Sequence, residues 1–196
     1  YIRAKEVIIS SGSIERPLVF GNNDTPGVML SSAAKEYLKI YGVLVGKKPL
    51  VFTNNDSGYE TAIEFKKNGI DPIILDTRKD TNSEIIKEAK GLNINIKFSY
   101  VVVTAKGYKK VKSADIAKIS DDKKNINNIE NIKCDCICVS GFWTPTIHLA
   151  SQSGNKTKFN EEIDAFIPSQ SKQNETTLGS ANGIFTLEET LKTSFE

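Results

Sequence analysis

Val51-Phe-Thr-Asn-Asn-Asp-Ser-Gly-Tyr-Glu-Thr-Ala62 is the stretch on which the fold turns. It follows the apolar, strand-like run that begins at Lys48 and ends at Phe52, and it opens a helix-like run from Tyr59 to Asn68. Ser57 and Glu60 have capping-box spacing, so the helix is expected to begin at the turn itself. A second apolar run, Ile73-Ile-Leu75, ends at Asp76, about twenty residues beyond the turn, where a βαβ dinucleotide unit carries its ribose-binding acid. Such a turn wants glycine at its first, third and sixth positions, and here those are Thr53, Asn55 and Gly58. The strand–turn–helix frame is intact while the phosphate-binding chemistry is damaged.

The damage has a physical reading on both sides. The turn's amides and the helix N-terminus after Gly58 could hold a pyrophosphate. Asn55 tolerates the left-handed region, and Ser57 could donate a hydrogen bond. Against this, Asp56 places a negative charge where a diphosphate would sit, and side chains at Thr53 and Asn55 fill the close-approach space glycine leaves open. Asp76 could accept from an adenosine ribose, or could be a solvated strand end. Arg78 beside it leaves NAD and NADP both open, with the acid favouring NAD.

Working outward, Glu6–Ser10 is a short apolar strand ending at Ser11-Gly12. The turn-rich loop Gly21–Gly27 precedes a helix expected over Ser31–Tyr41 and stopped by Gly42. After the Asp76 strand come a helix over about Ser83–Lys90, which buries Ile86 and Ala89, and an alternating strand through Ile94, Ile96 and Phe98. The pattern then changes: Tyr100–Ala105 and Val111–Ile119 read as antiparallel strands around a turn at Lys106-Gly107. Asp121–Asn131 reads as a polar, mobile loop, and Cys134–Ser140 as a return strand. Ser151–Glu175 reads as loop-rich, and a last helix is expected from about Thr186 to Thr193. The fold class is therefore α/β: a three-layer, Rossmann-like domain with a parallel sheet and an antiparallel β-meander over residues 44–145. Residues 1–43 and 146–196 are expected to be pieces of an outer, flavin-type lobe.

Composition narrows the function. The formal charge of +2 supplies no basic field for nucleic acid or a membrane surface, and no apolar run reaches the ~18–20 residues that span a bilayer. Cys134, Cys136 and Cys138 alternate, which places all three on one strand face as buried free thiols. That is poor geometry for disulfides and favours a reducing, cytoplasmic setting. Metal binding by the cysteines would need further ligands, and His148, the only histidine, has no visible carboxylate or nucleophile partner in the sequence; a structural or interface place is expected for it, and no catalytic residue is assigned. Trp143 is expected to pack over the sheet's C-terminal edge or to line a subunit contact. The chain opens at Tyr1, without an initiator Met, and is expected to be a piece of a longer polypeptide.

Further segments carry a resemblance. Val7-Ile-Ile-Ser-Ser-Gly12 and Leu178–Gly183 resemble the leaving and returning segments of two-domain disulfide-reductase-like flavoproteins, whose pyridine-nucleotide domain is inserted into an outer lobe. Ser180 stands where that class carries an Asp on flavin ribitol, which argues against flavin bound in the usual mode. Ser11–Pro17, Asn23–Gly27, Val51–Ser57, Val139–Pro145, His148–Gly154 and Ala181–Gly183 more closely resemble segments of the alpha subunit of heterotetrameric sarcosine oxidase. The resemblance implies an enzyme that oxidatively demethylates sarcosine to glycine, producing hydrogen peroxide and passing the one-carbon unit to tetrahydrofolate. FAD and FMN would belong to a partner subunit, beta above all, and tetrahydrofolate to an aminomethyltransferase-like domain outside this chain. NAD would sit in the outer lobe, against Gly12, Gly179, Ala181 and Asn182. With half of that cradle elsewhere, the chain alone is expected to bind NAD weakly or not at all and to be catalytically silent. Two alternatives stand beside it. One is an active NAD(P)-dependent flavoprotein oxidoreductase of the disulfide-reductase class, against which the lack of a C-x-x-C speaks. The other is a purely architectural docking module.

Overall fold

Strands buried on both faces read as continuous apolar runs, and three runs of this chain do so: Pro49–Thr53, Ile74–Asp76 and Cys136–Ser140 are buried residue after residue. A computed structural model describes residues 3–122 and 124–195. In chain order its first elements are β1 (Val7–Ile9), β2 (Ser13–Glu15), β3 (Val28–Leu30), α1 (Ser31–Tyr41), β4 (Pro49–Thr53) and α2 (Ser57–Lys67). Then come β5 (Ile73–Asp76), α3 (Glu84–Gly91), β6 (Asn95–Phe98), β7 (Tyr100–Lys106), β8 (Ser113–Ile119) and β9 (Ile126–Lys133). The rest are β10 (Cys136–Ser140), β11 (Trp143–Pro145), α4 (His148–Gln152), β12 (Thr157–Asn160), β13 (Ala165–Pro168), β14 (Glu175–Thr177) and α5 (Leu187–Ser194), with a 3₁₀ turn at Gly179–Asn182 before α5.

The chain divides into two compact units, one of Arg16–Phe142 and one of the residues up to Glu15 and from Trp143 onward. In the larger unit, five parallel strands lie in the order β3-β10-β4-β5-β6. Alternate side chains feed two cores. Leu50, Phe52, Leu75, Ile137 and Val139 face the antiparallel sheet β7-β8-β9 and its Val102, Ala114 and Ile116. Val51, Ile74, Cys136 and Cys138 face the helices and their Tyr59, Phe65 and Ile86. Helices, parallel sheet and antiparallel sheet make the three layers of the expected α/β, Rossmann-like class. Residues 16–43, expected with the outer lobe, lie in the larger unit instead. β3 hydrogen-bonds β10 at the sheet edge, and Thr61 Oγ1 of α2 donates to the Ser31 carbonyl of α1 at 3.0 Å.

The smaller unit holds the parallel pair β1-β14, the antiparallel pair β2-β11 and the hairpin β12-β13. Thr186 caps α5 by accepting from the Glu189 amide.

Three local expectations are corrected. Asp121–Asn131 is not a loop throughout, since β9 runs antiparallel to β8 from Ile126. It is exposed at almost every residue, so no apolar alternation announces it. Ser151–Glu175 contains the β12-β13 hairpin, of which only β13 buries an apolar face. The three cysteines do not share a face. Cys136 and Cys138 do, with their sulfurs 3.4 Å apart, but Cys134 precedes the strand and packs in the opposite core. All three are free and buried, and burial pushes the Cys134 thiol up to about 12, with Cys136 and Asp135 adding to the rise.

Candidate functional site: a closed turn and an open one

The Thr53–Gly58 turn lies where β4 delivers the chain into α2, and its polar atoms are spent on one another. Thr53 Oγ1 donates to the Asn55 carbonyl at 2.9 Å and accepts from the Asn55 amide at 3.1 Å. The Asn55 side chain is nearly buried. Its Nδ2 donates to Asn54 Oδ1 at 2.9 Å, to the Ser140 carbonyl at 3.1 Å and to Ser140 Oγ at 3.3 Å. Its Oδ1 accepts from the Ser57 amide at 2.9 Å and from Ser57 Oγ at 2.5 Å. A phosphate on this turn would need the free amides at the helix start, and the Asn55 carboxamide already occupies the first of them. The expected Ser57–Glu60 capping box is not made either. Ser57 Oγ is turned toward Asn55 and Ser140, and Glu60 pairs with Lys35.

Gly58 keeps one of the three glycine roles. A Cβ there would stand 2.7 Å from both Cβ and Oγ1 of Thr53, so the absence of a side chain lets α2 start hard against β4. Because Thr53 is held by its two hydrogen bonds, Gly58→Ala is expected to cost about 2 kcal/mol through overpacking. Urea unfolding followed by far-ultraviolet circular dichroism measures it, and an unchanged midpoint would contradict the packing role.

Asp76 is at the end of β5 as expected, but it is fully buried and its carboxylate is consumed. Oδ2 accepts from Tyr59 OH at 2.7 Å and from Arg78 Nη2 at 2.8 Å; Oδ1 accepts from the Arg78 amide at 2.9 Å and from Nε at 3.1 Å. An ionised carboxylate offers about four lone-pair sites, and these are taken. Arg78 Nη2 also lies 2.8 Å from Asp56 Oδ1, so one guanidinium bridges the two acids. Burial works against the charge of Arg78, but Asp76 and then Asp56 outweigh it and hold its pKa above the ordinary arginine range. Burial, reinforced by Asp76, pushes the Tyr59 phenol far above its usual range, so it remains a donor at any working pH. A ribose hydroxyl arriving here would find no free acceptor.

The outer-lobe candidates lie in the smaller unit and come together. β1 and β14 run parallel side by side, with Ile9 opposite Thr177, and the Leu178 amide donates to the Ile9 carbonyl at 3.0 Å. Gly12 follows the end of β1, and Gly179–Asn182 follows the end of β14, so both segments stand at the same end of one strand pair. Gly12 has φ +75° with nothing within 4 Å of a would-be Cβ, and Gly179 has φ +64°. Both need the left-handed region that glycine enters freely. Ala181 is fully buried beneath the 3₁₀ turn, while Asn182 is half-buried. Thr146 donates its amide to the Gly12 carbonyl at 2.9 Å, and Ser11 Oγ donates to the Thr146 carbonyl at 2.7 Å, which fixes the Gly12 loop.

Among the other sequence candidates, His148 is exposed at the start of α4, and Trp143 is half-buried in β11 opposite Glu15. Among the described residues no group of three or more His, Cys, Asp or Glu side chains could hold a metal ion, and no helix is long and apolar enough to cross a membrane. The sequence reading missed Tyr59 and Ser140 as parts of the turn. Tyr59 was legible only as an inward helix residue, and Ser140 lies 85 residues from its partner Asn55.

Comparison with known proteins agrees with the fold. The chain superimposes on thioredoxin reductase of T. acidophilum with a TM-score of 0.72 at 18% identity, covering 95% of this chain and 61% of that one. This is the architecture of two-domain disulfide-reductase-like flavoproteins. In sequence it is 32% identical over 195 residues to "Sarcosine oxidase subunit alpha" of Corynebacterium sp. (strain P-1), and 34% identical over 167 residues to that of Rhizobium meliloti (strain 1021). These cover 98% and 85% of this chain but only 20% and 16% of the relatives, so it spans about a fifth of their length. No family model matches. Over the stretch they share, the chain is a relative of the sarcosine oxidase alpha subunits.

Proposed function

We propose that the chain serves as the dinucleotide-fold segment of an alpha subunit in a sarcosine-oxidase-type enzyme, and that its larger unit is a framework from which nucleotide binding has been withdrawn. The observation that carries this is the closed turn, with Asn55 on the helix-start amide and Asp76 committed to Tyr59 and Arg78. NAD contact falls instead to Gly12, Gly179, Ala181 and Asn182, where the side-chain-free backbone of Gly12 and Gly179 at the ends of β1 and β14 suits close approach of a dinucleotide. The whole enzyme would oxidise sarcosine to glycine, releasing hydrogen peroxide and handing the one-carbon unit to tetrahydrofolate. FAD and FMN would be carried with the beta subunit and folate by a further domain. NAD, FAD, FMN and folate chemistry would thus lie outside the larger unit, and no step is assigned to its residues. The likeness to sarcosine oxidase alpha subunits along nearly the whole chain supports this reading over a stand-alone pyridine-nucleotide oxidoreductase.

Calorimetric titration with NAD tests it. The complete alpha subunit is expected to bind NAD and the 196-residue chain to bind it at least about tenfold more weakly, because the chain spans only about a fifth of its relatives' length. In the complete subunit, Asn182→Leu is expected to weaken NAD about tenfold and Asp56→Ala to leave it within about twofold. Tight binding to this chain, lost on Asp56→Ala, would return the site to the inner turn. Absence of binding to either protein would leave the docking-module reading.

A further inference from the structure

A cavity of about 520 Å³ lies in the larger unit at the N-terminal ends of β4, β5 and β6, the end of the sheet opposite to the Thr53 turn. That volume is within the 300–1,000 Å³ of small-molecule sites. Its floor is apolar, built from Leu50, Pro72, Ile94 and Ile132. Its rim is cationic: Lys47, Lys48, Lys66 and Lys133 line it against a single acid, Asp71. Asp71 pairs with Lys66 at 2.5 Å. Among the described residues no acid partners the ammonium groups of Lys47, Lys48 or Lys133.

The opposing charges nearby do not cancel these three. Asp135 is next in sequence to the lining residue Cys134, and its carboxylate accepts from the amides of Lys47 and Lys48 at 2.9 and 2.7 Å, which supplies one negative charge. The C-terminal ends of α2 and α3 approach the cavity through Gly69 and Asn93, and a helix end is worth about half a negative charge. Lys67 and Lys90, in the last turns of those helices, are paired with Glu88 and Asp80, so the helix ends and Asp135 reduce the three positive charges without cancelling them. Three lysines without an acid partner line one apolar hollow, and an anion bound there would be attracted by each of them.

We propose that this cavity binds an amphipathic carboxylate, with its apolar chain or ring on the Leu50–Ile132 floor and its carboxylate among Lys47, Lys48 and Lys133. The apolar floor supplies affinity by burial, and the ammonium rim selects the charged end. The site lies at the other end of the strands from the Thr53 turn and shares no lining residue with the glycine loops, so it stands whether or not NAD binds.

Decanoate is the probe, titrated into the full chain by calorimetry with backbone amide shifts recorded in parallel. Saturable binding is expected, with shifts concentrated at residues 47–50, 70–73, 93–95 and 132–134. The exposed triple variant Lys47→Glu, Lys48→Glu, Lys133→Glu, checked by circular dichroism to be folded, is expected to weaken decanoate at least about tenfold. Raising salt should weaken it progressively, whereas acetate and decanol should each bind poorly, since each lacks one half of the recognition. Absence of saturable decanoate binding would overturn the proposal. So would affinity unchanged in the triple variant, equal binding of decanol, or shifts centred elsewhere. A crevice that merely houses lysine stems predicts the first of these.

Discussion

Arg78→Met is expected to destabilise the larger unit by about 4 kcal/mol, the largest single-residue effect foreseen for it. Among the described residues the guanidinium is the only cation on the Asp76 carboxylate, which has no solvent exposure, and it also holds Asp56. Methionine preserves much of the apolar stem but leaves a buried charge with two neutral donors, Tyr59 OH and the residue-78 amide, where it also had a bidentate cation. Removing one member of a buried pair costs more than the pair contributes, because the stranded partner keeps its desolvation penalty. The Arg78 side chain is 29% exposed, so water can enter the variant and hold the loss near the middle of the usual range. The double variant Asp76→Leu, Arg78→Met should regain part of it, since no charge is then left buried. Urea unfolding by circular dichroism measures all three proteins. A loss under about 1 kcal/mol in Arg78→Met would mean the network is ornamental.

Asn55→Ala is expected to cost about 3 kcal/mol, because one carboxamide ties three chain segments together. Its removal leaves the Ser57 amide at the start of α2 and the Ser140 carbonyl at the end of β10 without their side-chain partner, in a nearly buried turn. The Ser140 carbonyl keeps the Asn54 amide at 3.3 Å, so the larger cost falls on the Ser57 amide, about 1–3 kcal/mol unless water reaches it. Asn55→Asp separates the two halves of the argument. A carboxylate still accepts from Ser57 and suits a helix start, but it cannot donate to the Ser140 carbonyl and is repelled by it. Its loss should fall between wild type and alanine. If aspartate is as harmful as alanine, the Ser140 link dominates; if alanine is harmless, the turn does not depend on Asn55 at all.

Much of the architecture was legible because it rests on local periodicity. The stripe of Ala34 and Leu38, the stops at Gly42 and Gly69, and the apolar runs around Leu50 and Ile74 specify helices and strands within a few residues of their observed ends. What was illegible lay in elements whose cause is elsewhere. β9 forms because β8 offers it an edge to pair with, although its own residues are exposed and polar. β3 joins the sheet through β10, more than a hundred residues away in sequence, which is why the division of the chain falls at Glu15 rather than at residue 43.

The same division holds at the turn. The Thr53-Asn-Asn-Asp-Ser-Gly58 sequence by itself determined that a strand would pass into a helix there, and that two of three glycines were missing. Damage to the motif was visible, since side chains at positions 53 and 55 and a charge at 56 oppose a diphosphate by volume and by sign. Only the tertiary structure decided how complete the closure is. Hydrogen bonds are directional and short, and whether Asn55 reaches Ser140, or Asp76 reaches both Tyr59 and Arg78, depends on strands brought side by side by the whole fold. Sequence carried the preference of each residue. Folding decided which partners came within hydrogen-bonding reach.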